Sequence, residues 1–159
     1  MVLKILEKLN TFVQILKYKI IYRNRIKFGR NINIRGKLYV RIAQNAKIII
    51  GNNCFFNNNC SINCKSEIII GSDCLFGENV KFYDHDHIFN HKGLIRNNGY
   101  NTGKIKIGNN VWLCSDVIIL RGSTIGDNCV IGAKEIIKKS VNSNCIVVNN
   151  ESKNIIIKE

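Results

Sequence analysis

Residues 107–137 read IGNNVWLCSDVIILRGSTIGDNCVIGAKEII, and an aliphatic side chain recurs there at every sixth position. The six aliphatic residues are Ile107, Leu113, Ile119, Ile125, Ile131 and Ile137. A period of six fits neither a helix nor an amphipathic strand, whereas a hexapeptide period is typical of a parallel β-helix. Each unit is expected to form one short strand and one corner. Three units, about 18 residues, would then close one triangular coil around inward-pointing aliphatic side chains.

Small residues occupy fixed places in this repeat. Glycine directly follows several aliphatic positions, as at Gly108 and Gly126, and asparagine does so at Asn57 and Asn63. Because both residue types tolerate a left-handed backbone, the corners are expected directly after the aliphatic positions. A valine, serine or cysteine stands four residues after the aliphatic residue at Val111, Val117, Ser123 and Cys129.

The period breaks once. After Phe82 the next in-phase aliphatic residue is Ile107, so residues 84–104 (DHDHIFNHKGLIRNNGYNTGK) are expected to leave the prism as a loop. Loops longer than about 12–15 residues in a compact domain are usually functional. All three histidines of the chain, His85, His87 and His91, lie in this loop.

The chain divides into three predicted segments. Residues 1–25 form a basic amphipathic helix, residues 26–150 form the solenoid with its loop, and residues 151–159 form a polar tail. The helix carries an apolar stripe made of Ile5, Leu9, Phe12, Leu16 and Ile20. Two interpretations remain open: the helix caps the solenoid end or contacts another copy, or it lies on an anionic membrane surface.

The positive charge belongs to the N-terminal part. Residues 1–47 hold 12 of the 24 lysines and arginines and one acidic residue, Glu7, so they carry +11 of the net charge of +13. Such a patch can meet nucleic acid, an anionic membrane or an acidic substrate, or can be a solvated face. No nucleic-acid partner is expected, because the sequence has no recognised module and no aromatic interleaving.

The seven cysteines indicate a reducing compartment. None forms a CxxC pair, no secretory signal is visible, and several fall four residues after an inward aliphatic position, as small core residues do. No apolar run is long enough to span a bilayer. A cytoplasmic location is therefore expected, with the inner face of the membrane as an open alternative.

Two kinds of chemistry suit the loop. A catalytic zinc ion needs three protein ligands, but His85 and His87 would need a third ligand from elsewhere. In general acid–base catalysis, one histidine oriented by a carboxylate would take a proton from a bound nucleophile. Asp84 and Asp86 could instead stabilise the turn itself.

The repeat, the Asp-His-Asp-His insertion after Phe82-Tyr83, and the run from Ile107 to Val141 together resemble the hexapeptide-repeat acyltransferases. More narrowly, they resemble the sugar O-acetyltransferase branch, with its maltose, galactoside and nodulation-factor enzymes. The resemblance implies an all-β fold, a left-handed parallel β-helix, which forms homotrimers with active sites between neighbouring prisms. It also implies acetyl-CoA as co-substrate and no metal.

The resemblance assigns roles to individual residues. His87, seven residues after Val80, matches the base that deprotonates the acceptor hydroxyl, with His85 and Asp84 in support. Asn59 and Tyr83 are the candidate acceptor contacts. The positions that match the CoA groove are Trp112, Ser115, Ala133, Lys138 and Lys139. The backbone near Ser115 matches the oxyanion contact. The usual Trp-Ile-Gly is Trp-Leu-Cys here, so Cys114 is expected to narrow the thioester channel.

The expected function is acetyl-CoA-dependent O-acetylation of a sugar or surface-glycan hydroxyl. N-acetylation of a nucleotide-linked amino sugar is a close alternative. A zinc enzyme resembling the γ-type carbonic anhydrases is a weaker one, because that group draws its histidines from different coils. The remaining alternative is a non-catalytic solenoid that scaffolds a complex.

Overall fold

The computed structural model describes residues 2–89, 93–148 and 154–157, which form a parallel solenoid of about five coils behind one helix. Helix α1 spans Val2–Tyr22, and a short 3-10 turn, Arg23–Arg25, leads into the first coil. The first three coils comprise β1 (Ile26–Phe28), β2 (Asn33–Ile34), β3 (Leu38–Ile42), β4 (Lys47–Ile50), β5 (Phe55–Phe56), β6 (Cys60–Cys64), β7 (Glu67–Ile70), β8 (Leu75–Phe76) and β9 (Lys81–Tyr83). A hairpin of β10 (His85–His87) and β11 (Tyr100–Thr102) follows. The last elements are β12 (Ile105–Ile107), β13 (Trp112–Leu113), β14 (Ile118–Leu120), β15 (Thr124–Ile125), β16 (Val130–Ile131), β17 (Ile136–Ile137), β18 (Cys145–Val148) and β19 (Asn154–Ile157).

Three parallel sheets form the faces of the prism. The first sheet has the strand order β1-β4-β7-β12-β15, and the third has the order β3-β6-β9-β14-β17. The second runs β2-β5-β8-β13-β16-β18, with β19 added antiparallel at its end. The stack is continuous across the hairpin, since Ile68 of β7 pairs directly with Ile105 of β12. The predicted six-residue repeat is therefore confirmed as a coiled stack.

The repeat positions fill the core as expected. The six aliphatic residues of 107–137 are buried, and so are the small residues four positions after them. Three phenylalanines stack along the axis, with ring centroids 4.6 Å apart for Phe56–Phe76 and 5.7 Å apart for Phe76–Phe82. Six of the seven cysteines are buried and all seven are free. Burial raises the pKa of Cys60 to about 11, so this thiol is an unreactive core group.

The corners differ from the expectation in one respect. Left-handed residues stand three positions after the aliphatic residue rather than directly after it. They include Asn53 (φ 56), Asn59 (φ 60), Asn110 (φ 53) and Asn128 (φ 58). Their side chains also bond from coil to coil, as between Asn110 and Asn128 at 2.9 Å.

Glycine after the aliphatic residue serves close packing instead. A Cβ at Gly51 would lie 2.6 Å from the backbone of Gly71 in the next coil, which is closer than a side chain can approach. The prediction of left-handed corners at Asn57 and Asn63 was therefore wrong. The left-handed residue after Phe56 is Asn59, two residues later than predicted, and Asn63 lies within β6.

Helix α1 caps the first coil through a polar face. Thr11 Oγ1 both donates to the carbonyl of Ile34 and accepts from its N–H. Tyr18 Oη donates to the carbonyl of Leu38 and accepts from the N–H of Val40. Asn10, Gln14 and Tyr22 make further bonds of this kind, at the four-residue spacing that keeps side chains on one helix face.

These side chains replace the backbone partners that a preceding coil would supply. The apolar stripe of α1 points to solvent, with Leu9 57% and Phe12 62% exposed, so the helix caps the first coil without it. No helix among the described residues is long and apolar enough to cross a bilayer. In the predicted tail, residues 151–153 and 158–159 lie outside the described residues, whereas β19 pairs with β18.

Candidate active site

The hairpin leaves the solenoid where β9 ends and carries the candidate histidines. His87 pairs with Tyr100, and His85 pairs with Thr102. At its base, the N–H of Gly103 donates to the carbonyl of Asp84 over 2.8 Å. This confirms the loop expected over residues 84–104. His91 lies outside the described residues.

Asp84 anchors the hairpin to the previous coil. Its side chain is fully buried, and its two carboxylate oxygens accept the N–H groups of Lys65 and Ser66, each over 2.7 Å. The Cys64 thiol lies 3.3 Å from the same carboxylate, and burial beside this charge raises the pKa of Cys64. Several hydrogen bonds therefore hold the Asp84 side chain in one position.

The same carboxylate orients His85. His85 Nδ1 lies 3.0 Å from Asp84 Oδ1, and the side chain is only 16% exposed. The His85 ring packs edge-on to Tyr100, with centroids 5.4 Å apart. His85 is thus a positioned side chain of the hairpin base, and its supporting role in catalysis stays a prediction.

His87 is presented differently. It is exposed, and its ring lies 4.5 Å from the Tyr100 ring, centroid to centroid. The Lys65 ammonium also contacts Tyr100, at 3.7 Å from the centroid of its ring. Tyr100 therefore supports both imidazoles and one cation, while His87 keeps access to a bound molecule.

A cavity of about 380 Å³ opens beside these rings. Its lining includes His85, His87, Tyr100, Asn63, Lys65 and Arg41. Tyr22, the last residue of α1, completes one wall. The lining combines imidazole, amide and cationic groups, so the cavity suits a polar molecule with hydroxyl or acidic groups.

A second cavity, of about 490 Å³, contains three of the predicted CoA-groove residues, Trp112, Ser115 and Ala133. Phe55, Leu75 and Cys114 add mostly apolar surface. Within residues 2–89 and 93–148, the backbone N–H of Ser115 has no hydrogen-bond acceptor. Burial raises the pKa of Cys114, so its thiol is neutral at physiological pH and only occupies space.

The remaining predicted residues lie apart. Lys138 and Lys139 are exposed after β17 and line neither cavity. Asn59 borders a third cavity with Asn10 and Arg35, and Tyr83 is half-buried on β9. Within one chain, His87 and the Trp112 cavity are not brought together.

Sequence reasoning missed Arg41, Lys65 and Tyr100. Arg41 and Lys65 belong to earlier coils, and only their register in the stack brings them to the hairpin. One signal was present: the repeat slips by two residues between Ile62 and Ile70, and this slip holds the two N–H groups that bind Asp84. Among the described residues, no group of three or more His, Cys, Asp or Glu side chains is arranged to hold a metal ion.

Comparison with known proteins identifies the family. Residues 104–134 match the model of the bacterial transferase hexapeptide (six repeats). The solved structure of a galactoside acetyltransferase in complex with coenzyme A is 31% identical, with a TM-score of 0.75, and the alignment covers 91% of this chain and 70% of that one. The chain belongs to the hexapeptide-repeat acyltransferase family. The predicted left-handed β-helix is thereby confirmed, as is the sugar O-acetyltransferase branch.

Two curated acetyltransferases match over a shorter segment. The galactoside O-acetyltransferase of Escherichia coli (strain K12) is 46% identical over 56 residues, which is 35% of this chain and 28% of that enzyme. The chloramphenicol acetyltransferase of Agrobacterium fabrum (strain C58 / ATCC 33970) is 44% identical over 59 residues, 36% of this chain and 28% of that enzyme. The matched segments thus span little more than a quarter of these curated relatives.

Proposed function

We propose that the protein is an acetyl-CoA-dependent O-acetyltransferase that acts on a sugar or surface-glycan hydroxyl, with His87 as general base. The observation that carries the proposal is the hairpin, which is anchored by the buried Asp84 and presents an exposed imidazole beside a polar cavity. Similarity to a galactoside acetyltransferase solved in complex with coenzyme A, and to a galactoside O-acetyltransferase, supports acetyl transfer and CoA binding.

The reaction needs one proton acceptor and one oxyanion donor. His87 takes the proton of the acceptor hydroxyl while the oxygen attacks the carbonyl carbon of the thioester. A C–O bond forms, and the carbonyl oxygen becomes negative in the tetrahedral intermediate. The C–S bond then breaks, and the departing thiolate receives the proton from the imidazolium.

The second cavity supplies the other half of this site. Trp112 and Ala133 would offer apolar surface to the pantetheine arm, and the N–H of Ser115, which lines the same cavity, would donate to the oxyanion. Lys138 and Lys139 would meet the phosphates of the nucleotide. Because one chain holds the two cavities apart, the complete site requires a neighbouring protomer, as in the homotrimer expected of the family.

The acceptor would lie in the His87 cavity. Asn63, Arg41 and Lys65 line it, so a sugar that carries a carboxylate or phosphate is the favoured class. Asn59 and Tyr83 remain candidate acceptor contacts, but Asn59 borders a different cavity of the same chain. We place the enzyme in the cytoplasm, where its seven free cysteines would stay reduced.

The test is transfer from acetyl-CoA by the His87→Ala variant, measured on a panel of neutral sugars, acidic sugars and nucleotide-linked amino sugars. Loss of a general base should lower kcat/KM by about 10²–10⁴-fold while the oligomer and CoA binding persist. The control is Phe89→Ala, an exposed change on the same hairpin that should retain most of the activity.

Other outcomes would contradict the proposal in different ways. Full activity of His87→Ala would remove this residue from the mechanism. Transfer confined to amino groups would show that the enzyme is an N-acetyltransferase. A wild-type protein that neither binds nor uses acetyl-CoA would favour a non-catalytic scaffold.

A further inference from the structure

The solenoid uses only one face of helix α1. The side chains that bind the first coil, such as Thr11 and Tyr18, are buried, whereas the opposite face is open. At roughly 100° per residue, Leu9 lies on the side of the helix opposite Tyr18. The two faces therefore have separate roles, and the polar face is already fully engaged with the solenoid.

The open face is continuous and apolar. Ten large apolar residues of α1 are exposed, namely Val2, Leu3, Ile5, Leu6, Leu9, Phe12, Val13, Leu16, Ile20 and Ile21. Single exposed apolar residues are ordinary, but a contiguous patch of this kind marks an interaction surface. Since the helix needs none of these side chains to hold the first coil, packing within the chain does not explain them.

The surrounding charge indicates the occupant. Exposed Lys8 and Lys17 flank the apolar stripe on its two sides, and Lys4 and Lys19 add to them. Residues 1–47 carry 12 basic residues and one acid. A second copy would bring the same positive charge against this surface, whereas an anionic lipid surface is complementary to it.

We propose that α1 docks the protein on a bilayer that contains anionic lipids. The helix lies in the plane of the headgroups, its apolar face enters the acyl boundary, and its lysines contact the lipid phosphates. The attachment is peripheral. This proposal goes beyond acetyl transfer and holds whatever reaction His87 performs.

Docking would also place the site. Tyr22 ends α1 and lines the His87 cavity, so this cavity opens near the end of the solenoid that faces the membrane. An acceptor attached to a lipid at the same surface would reach it without leaving the bilayer.

The experiment is flotation of the full chain with vesicles of phosphatidylcholine alone and of phosphatidylcholine mixed with phosphatidylglycerol. We expect binding to the mixed vesicles, reduced by salt, and little binding to phosphatidylcholine alone. The Leu9→Ser/Phe12→Ser variant should lower the affinity for mixed vesicles by about tenfold or more. The matched control, Ile136→Ser, changes an exposed apolar residue in the last coil and should bind as the wild type does.

A charge variant keeps the test independent of the apolar change. Lys8→Gln/Lys17→Gln should also weaken vesicle binding, whereas Lys81→Gln/Lys106→Gln, on other faces of the prism, should not. Circular dichroism and thermal melting establish that each variant is folded.

Three results would overturn the proposal. The wild type could fail to bind mixed vesicles, or the Leu9→Ser/Phe12→Ser variant could bind them unchanged. The third result is a smaller oligomer for the Leu9→Ser/Phe12→Ser variant than for the wild type, measured by sedimentation without lipid. It would show that a second copy of the chain covers the apolar face. None of these results bears on His87, and an inactive His87→Ala variant leaves vesicle binding unaffected.

Discussion

Asp84 is the residue on which the geometry of the hairpin depends most. It combines complete burial with hydrogen bonds from two backbone N–H groups and a contact to His85. The sequence marked it as a supporting or turn-forming residue. Its partners are backbone groups of another coil, which have no side-chain signature, so their identity could not be predicted.

An Asp84→Asn variant should be destabilised. The amide offers one acceptor oxygen where the carboxylate offers two, so one N–H of the 65–66 corner loses a charged acceptor. The expected cost is about 2–3 kcal/mol in the free energy of unfolding, measured by urea denaturation. The control is Asp86→Asn, whose exposed ion pair with Arg121 should contribute at most about 1 kcal/mol. Equal stability of the Asp84→Asn variant and the wild type would contradict this anchor role.

Arg41 gives the acceptor cavity a charge that can be tested. If the acceptor carries an acidic group, Arg41→Gln should raise its KM about tenfold, equivalent to about 1.4 kcal/mol. The KM of a neutral sugar should change little, and Lys106→Gln, outside the cavity, should change neither value. Steady-state kinetics with the two acceptor classes would measure the difference, and an equal effect on both would exclude a charge preference.

Helix α1 shows what an amphipathic pattern can and cannot predict. The periodic stripe correctly predicts a helix at the N-terminus. It does not state which face docks on the solenoid. The docked face is polar, because the surface to be covered is an open backbone edge and needs hydrogen-bonding side chains. By contrast, the hexapeptide repeat predicts the core well, since the same inward position recurs in every coil and each copy reinforces the others.

The polar face of α1 should be worth more to stability than its apolar face. Burial raises the pKa of the Tyr18 phenol, whose oxygen serves both Leu38 and Val40. A Tyr18→Phe variant leaves these two backbone groups unpaired and should lose about 1–3 kcal/mol. Phe12→Ser, on the exposed side, should change stability by about 0.5 kcal/mol or less. The reverse order in urea denaturation would show that the apolar face holds the helix in place.

At the scale of the whole molecule, the separation of the two cavities is the main finding. His87 and Trp112 belong to different surfaces of one prism. Family resemblance could assign both residues to one site. The sequence of one chain, however, does not show which surface of a neighbouring protomer contacts the His87 surface. A seam between protomers is the arrangement that unites them in the proposed trimer.

Mixed trimers would test this seam. His87→Ala removes the base, and Ala133→Trp fills the second cavity, so each variant alone should be inactive. In a trimer assembled from equal amounts of both chains, about a quarter of the seams should combine an intact His87 with an intact cavity. Recovery of that fraction of the wild-type rate supports the seam, and no recovery in confirmed mixed trimers contradicts it.

The position of the hairpin after the third coil acts as a molecular ruler. Coils in such a stack are spaced by about 4.8 Å, so the hairpin stands two steps, about 10 Å, beyond the coil that α1 covers. With α1 bound to the lipid surface, the distance between His87 and the bilayer is set by the number of coils between them. Inserting one coil before β9 would move the imidazole about 4.8 Å further from the bilayer. A lipid-attached acceptor would then need to be longer by the same distance to reach it.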